Sequence, residues 1–319
     1  MDNGKYTCEQ CGNLTSDVVG IGRDFEYATL GGPFRYARCL SCQHMFLGNR
    51  PDGSLLDQLY PDTYYTVNSQ SPLFLKGFVY NKKIKMDVDR IMARLEDRNI
   101  KSILDVGCGN CARLIALKNR LNNHDLELTG IDLQLSPAAR NLAQRENIKL
   151  CPGNIEADAA LAQIESRFDV IVMSQLLEHL FEPGPTLRRL FNVMNPKGLI
   201  IIETPNWQCL DFRLFKKRYW GGYHLPRHFN VFSSESLAHL LKKCGFEVIE
   251  QGFLPSPGFW IISLRNWLGL NSRNYSQSIF EFLNFSNLFV VGAFSLLDRL
   301  IITCGGKTSN QFLVAQKPA

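Results

Sequence analysis

A chain of 319 residues that is 45% hydrophobic and 20% charged holds enough apolar material for one large core or two modest ones, which excludes disorder as its default state. Its formal charge of +5 favours an anionic ligand or surface but excludes the histone-like excess of a protein that coats nucleic acid. The first eight residues are polar and lack the apolar run of a secretory signal, so a cytoplasmic location is expected, with the ten cysteines as thiols or metal ligands.

Residues 1–54 form a Gly-rich, Cys-paired segment with short alternating stretches such as 34–38, which read as small strands too few to fold without a staple. Cys8-x-x-Cys11 and Cys39-x-x-Cys42 supply one: four thiolates that surround zinc tetrahedrally and leave no open position, so the metal is expected to be structural. The alternative is four unpaired thiols. Residues 55–100 read as a connector and lid, tyrosine-rich at first and then an amphipathic helix over 80–95.

From residue 101 the pattern changes to strands alternating with helices, at 102–106, 128–132, 148–150, 168–173 and 199–203, then 246–249 after a helix at 234–244, and finally 311–315. This predicts an α/β fold: a Rossmann-like, seven-stranded, mostly parallel sheet formed by 101–253 and 305–319. An aromatic-rich helical insertion, 254–304, interrupts it before the last strand. Its apolar side chains, Phe259, Trp260, Trp267, Phe282, Phe285 and Phe289 among them, need a partner. Burial as a helical cap or a homodimer interface is the favoured reading, and a peripheral membrane or lipid-linked contact is the other.

The segment 103–112 runs from strand through a glycine-rich turn into a helix, which lets backbone approach a ligand closely. Gly107, Gly109 and Ala112, with Asp132 further on, also satisfy a dinucleotide fingerprint. Asp105 argues for a different cofactor: a carboxylate just before the turn repels a pyrophosphate but neutralises the ammonium of a methionine moiety, as in S-adenosylmethionine. Asp132 is then placed to accept from both ribose hydroxyls, and Asn154 to flank the adenine.

These residues, with 174–180 (Ser-Gln-Leu-Leu-Glu-His-Leu), Pro196-Lys197-Gly198 and Glu203-Thr204-Pro205-Asn206, resemble class I methyltransferases in motif order across 101–249. The four-cysteine head, Tyr64-Tyr65 and the segment 219–228 resemble, more narrowly, zinc-containing methyltransferases of bacterial sugar and polysaccharide pathways. That resemblance implies S-adenosylmethionine held by Asp105, Gly107, Gly109, Asp132, Asn154 and Gln175, with Tyr64 as a lid residue. One departure stands out: the third glycine of the loop is Cys111 here. Cys108 and Cys111 read as packing thiols.

Methyl transfer to a hydroxyl or carbon acid needs a base, and His179, His224 and His228 are placed to face one cleft. The resemblance favours His224 as base, with Tyr223 beside it, and makes Glu178-His179 a cleft-forming pair. Arg227 is expected to hold an anionic group of a small-molecule or glycan acceptor, and the run Arg213, Lys216, Lys217, Arg218 either extends that footprint or forms a solvated face. The rival readings are an NAD-dependent oxidoreductase, an RNA methyltransferase gripping nucleic acid with its zinc module, and a binding protein without chemistry. The absence of an Asn-Pro-Pro-aromatic motif after the fourth strand speaks against nucleic acid.

Overall fold

The chain enters through an antiparallel hairpin of β1 (Ser16–Gly22) and β2 (Phe34–Cys39), to which β3 (Met45–Leu47) adds on the β2 side. The computed structural model describes residues 5–14, 16–60, 74–96, 98–123, 125–162, 164, 166–269, 279 and 282–319. Residues 1–54 do not close this sheet by themselves. Its fourth strand is Asn230–Val231, from the second half of the chain, paired with Met45 and Phe46. Phe34, Tyr36, Met45 and Leu47 accordingly share one buried cluster with Cys209, Phe212, Trp220, Tyr223 and Leu225, so the head is packed into the body of the protein.

Two helices follow, α1 (Leu56–Leu59) and α2 (Phe74–Leu95), the second longer at its start than the periodicity of 80–95 predicts. The large sheet then builds from β4 (Ser102–Val106), β5 (Glu127–Asp132), β6 (Lys149–Pro152), β7 (Phe168–Ser174) and β8 (Met194–Pro205), all parallel. Between them run α3 (Ala112–Leu121), α4 (Pro137–Arg145), α5 (Asp158–Ala162) and α6 (Pro183–Asn192), and α7 (Leu210–Phe215) follows β8. With Asn230–Val231 as β9, α8 (Ser234–Lys243) leads to β10 (Glu247–Leu254), and β11 (Asn310–Gln316) inserts antiparallel between β10 and β8. The strand order β10-β11-β8-β7-β4-β5-β6 is the seven-stranded, mostly parallel sheet that the sequence predicts.

Both faces of that sheet are buried because successive strand residues point to opposite sides and are apolar on each. Leu104, Ile171, Ile200 and Leu313 pack on the side of α6 and α8; Ile103, Val170, Ile201 and Val314 pack on the side of α2 and α3. Helix starts are set by side chains that satisfy otherwise unpaired amides. Ser233 and Ser236 form a reciprocal capping box at α8, and Ser136 followed by Pro137 opens α4.

The insertion contributes α9 (Pro257–Trp267) and α10 (Leu288–Thr303). Buried Asp298 of α10 accepts from Trp260 Nε1 at 2.9 Å and from the Ser256 amide at 2.7 Å, which ties the two together. Burial, the favoured expectation here, holds for one face only. Trp260, Ile261, Leu283 and Val290 are buried, whereas Trp267, Phe282, Phe285, Leu288, Phe289, Leu296 and Leu300 are exposed. Among the described residues, no helix is long and apolar enough to cross a membrane.

Candidate active site

The carboxyl ends of β4, β5 and β7 open onto a cavity of ≈ 290 Å³, the place where ligands bind in sheets of this kind. The turn after β4 is made by Gly107 and Gly109, at φ 80° and 54°, conformations that glycine adopts without a Cβ penalty. The Gly109 amide donates to Asp132 Oδ2 at 2.8 Å, and the Gln134 amide donates to Oδ1 at 3.1 Å, which fixes the Asp132 carboxylate at the rim. Gly107, Gly109, Asp132, Asn154, Gln175 and His179 all line the cavity, joined by Tyr60, Lys83 and Arg113. Tyr64 and Tyr65 lie outside the described residues.

Asp105 lies within the sheet, completely buried. Its Oδ1 accepts from Arg113 at 2.7 Å, while Oδ2 has no hydrogen-bond partner among the described residues. Burial pushes its carboxyl up to about 6, and the Arg113 guanidinium works against that rise. Arg113 belongs to a buried polar network that sequence reasoning missed. Arg90 of α2 bridges Asp87 at 2.8 Å and Glu203 at 2.9 Å, and Glu203 accepts from Asn310 at 2.7 Å. Gln175 joins it through Asn310 at 3.0 Å. The signal that could have revealed α2's part is the charge spacing Asp87, Arg90, Arg94, a polar stripe on the helix's inner side.

The three histidines do come together. Ring centroids lie 4.6 Å apart for His179 and His228, 5.0 Å for His224 and His228, and 6.1 Å for His179 and His224. His179 Nδ1 donates to the Arg227 carbonyl at 3.1 Å and lies 3.0 Å from the Tyr60 hydroxyl, and His228 Nδ1 donates to the Gly222 carbonyl at 2.9 Å. Burial drives His179 down to about 3 and His228 well below the usual imidazole range, so both are neutral at pH 7. Glu178 is completely buried, accepts from the Thr204 hydroxyl at 2.8 Å, and is pushed up to about 8 by burial. Its Oε1 is 4.0 Å from His228 Nε2, wider than the roughly 3.4 Å between ligands of a tetrahedral zinc with bonds of about 2.1 Å.

Two of the expected site residues turn inward instead. Arg227 is completely buried, paired with Asp24 at 3.1 Å and donating to the carbonyls of Leu59 and Leu225, so its charge is neutralised within the protein rather than offered to an anionic acceptor. Tyr223 is likewise core: its hydroxyl donates to the Lys216 carbonyl at 2.6 Å and its ring stacks on Tyr36 at 4.4 Å. Arg213, Lys216, Lys217 and Arg218 are exposed, as a solvated face is.

The four cysteines converge as their spacing predicts. Cys8 and Cys42 sulfurs lie 3.6 Å apart, those of Cys11 and Cys39 lie 3.5 Å apart, and all four fall within 4.8 Å of one another. A tetrahedral zinc with sulfur bonds of about 2.3 Å sets its ligands about 3.8 Å apart, so the sulfurs fit that ion. His44 takes no part; its Nε2 is 3.0 Å from Asn230 Oδ1.

A model of the methyltransferase domain family matches residues 80–251, more than half of the chain. The chain belongs to the methyltransferase domain family. Membership of a methyltransferase family supports S-adenosylmethionine over a nicotinamide dinucleotide at the glycine turn. Over 201 residues this methyltransferase is 29% identical to a mitochondrial ubiquinone biosynthesis O-methyltransferase of Saccharomyces cerevisiae, covering 54% of this chain and 60% of that one. A ubiquinone biosynthesis O-methyltransferase of Pseudomonas fluorescens is 32% identical over 108 residues, 33% of this chain and 45% of that protein. The match thus spans about half the length of these curated relatives. Among solved structures, a SAM-dependent methyltransferase from Archaeoglobus fulgidus is similar with a TM-score of 0.45 and 18% identity, over 75% of this chain and 99% of that one.

The residues present fit the family's cofactor. Asp105 does not itself line the cavity, but the second oxygen of its carboxylate, buried beneath the turn and without a hydrogen-bond partner among the described residues, suits a cationic group. Among the described residues, nothing lies within 4 Å of a would-be Cβ at Gly109, which leaves room at the turn for a ligand.

Proposed function

We propose that this methyltransferase uses S-adenosylmethionine to methylate a hydroxyl of a small-molecule acceptor, with His224 as the general base, and that its four cysteines hold a structural zinc. The observation that carries the reading is the histidine cluster at the carboxyl edge of the sheet, in which His179 lines the glycine-turn cavity and buried His224 and His228 pack directly against it. Bound in the cavity, S-adenosylmethionine supplies an electrophilic methyl group on a positively charged sulfur. The chain's own part is to align the acceptor and remove its proton. Asp132 receives the ribose hydroxyls, Asp105 with Arg113 beneath the turn receives the methionine end, and His224 takes up the acceptor proton.

Oxygen rather than carbon as the acceptor atom is supported by the relatives, which are named O-methyltransferases. A sugar, nucleotide-activated or polysaccharide-linked, is supported only by the resemblance of the cysteine head and of 219–228. An anionic acceptor loses the residue on which that expectation rested, since Arg227 is taken up by Asp24.

The test is calorimetric titration with S-adenosylmethionine, S-adenosylhomocysteine and NAD in parallel, followed by acceptor panels of nucleotide sugars and catechols scored by S-adenosylhomocysteine release. Binding of the first two ligands and release with one panel is expected. Binding of NAD alone would overturn the reading.

A further inference from the structure

We infer that Glu26, at the tip of the β1–β2 hairpin, is the positioning residue for His224, so that the cysteine-stapled head completes the active site of the catalytic half. The inference rests on the reading of His224 as base. Glu26 Oε1 lies 2.7 Å from His224 Nδ1, with the imidazole almost wholly buried and the carboxylate side chain 19% exposed. A carboxylate only accepts hydrogen bonds, so Nδ1 must carry the proton of this contact, and Nε2 becomes the nitrogen that takes a proton from an acceptor. This is the third member that a base needs: a group that fixes its tautomer and stabilises the imidazolium as it forms.

The contact spans 198 residues of sequence, and several independent features hold the hairpin to it. In the ladder, Ser16 pairs with Cys39 at the metal end and Gly22 with Phe34 at the other, so the hairpin runs from the cysteine cluster to the histidines. Its tip is rigid, since the Tyr27 and Thr29 amides both donate to Asp24, which in turn is paired with Arg227. Arg227 also lies over the Tyr27 ring at 4.4 Å, and Tyr27 meets His224 edge-on at 6.1 Å. The Tyr36 hydroxyl lies within hydrogen-bond distance of the carbonyls of Tyr223 and His228, on either side of His224, with its one proton given to one of them. His224 itself sits at φ 38°, a left-handed conformation that a histidine keeps only when its surroundings impose it. Among the described residues, Tyr27, His179 and His228 also face His224, and the charge of Arg265 on α9 reaches Glu26.

The experiment needs no acceptor. Full-length protein labelled with 15N-histidine is examined by imidazole 15N NMR at pH of about 9, where imidazoles are neutral, and the His224 signals are those lost in His224→Gln. In the wild type His224 is expected as the Nδ1–H tautomer, in Glu26→Gln the same tautomer persists because the amide oxygen still accepts, and in Glu26→Ala the proton moves to Nε2. Unchanged signals of His44 and His239, which lie outside the cluster, report an intact fold. An Nε2–H tautomer in the wild type, or one tautomer common to wild type and Glu26→Ala, overturns the inference, and the wild-type spectrum decides even if Glu26→Ala does not fold. Wild-type turnover by His224→Gln would sink the base assignment and leave the tautomer result standing, so the two failures are told apart.

Discussion

Gly20→Ala tests whether the head is packed against the catalytic half as tightly as the structure shows. A Cβ at Gly20 would stand 2.6 Å from the Lys216 carbonyl oxygen and 2.7 Å from Tyr223 Cζ, with the Tyr223 hydroxyl closer still. Neither neighbour can give way. Tyr223 is 2% exposed, stacked on Tyr36 and bonded through its hydroxyl, and the Lys216 oxygen is backbone. Overpacking of this kind costs about 1–3 kcal/mol. The entropy that alanine removes from the unfolded chain offsets roughly 0.4–1 kcal/mol of it. At about 1.5 °C per kcal/mol for a chain of this length, the melting temperature should fall by up to about 4 °C. Gly53→Ala is the control, because nothing lies within 4 Å of its Cβ position; it should leave the melting temperature unchanged or slightly higher. Differential scanning fluorimetry of both variants suffices, and Gly20→Ala melting at or above Gly53→Ala would refute the packing argument and the docking of the hairpin with it.

Three further outcomes follow from the charges and the cysteines. Because burial holds Asp105 at about 6, it loses its charge as pH falls through that value, so S-adenosylmethionine affinity measured by calorimetry should drop towards tenfold per pH unit below it. Asp105→Asn should abolish that dependence and weaken binding at pH 7.5 by about tenfold to a hundredfold, the worth of a charge-assisted hydrogen bond. Metal analysis should find about one zinc per chain in protein purified without chelator, and Cys39→Ser, which removes one of four ligands, should lose it and melt earlier. Glu178 has its folded pKa raised, to about 8, so the stability it lends is full below the unfolded value and is lost as pH rises through the folded one. Glu178→Gln should therefore gain on the wild type in urea denaturation between pH 5 and 8, and parallel curves across that range would show the carboxyl ionised throughout.

What was legible in the sequence is what short spacing determines. The alternation in β4 to β8, the glycine turn with Asp132 one strand later, and the two cysteine pairs each depend on residues close together in the chain, and each stands where the pattern puts it. Arg227 shows the opposite case. A basic residue in an aromatic loop looks the same in sequence whether it faces a ligand or an internal carboxylate, and Asp24, its partner, is 203 residues away. The buried Arg90, Asp87 and Glu203 network joins α2 to the end of β8 in the same way, through contacts that depend on how the helix docks. That the head's sheet takes its fourth strand from Asn230–Val231 was not legible, because that strand is two residues long, too short for any alternating pattern to register.

Cys111 shows how a departure from the usual glycine loop is absorbed. It takes φ 63°, the left-handed conformation for which glycine is the ordinary choice, and a non-glycine residue there costs roughly 1–2 kcal/mol. Its side chain is completely buried beside that of Cys108, in the cluster formed by α2, α3 and the sheet, so hydrophobic burial offsets part of that cost. Room for Cys108 is made on β5, where a Cβ at Gly130 would stand 2.6 Å from its sulfur. The Gly107 and Cys108 amides both donate to the Ile131 carbonyl, and the Cys111 amide donates back to the Cys108 carbonyl. The turn is thus pinned from the neighbouring strand and from within, and it keeps the two conformations that matter at the cavity, those of Gly107 and Gly109. The third glycine is dispensable here because α3 begins at Ala112, directly after it, and the Cys111 side chain fills the core rather than the ligand space.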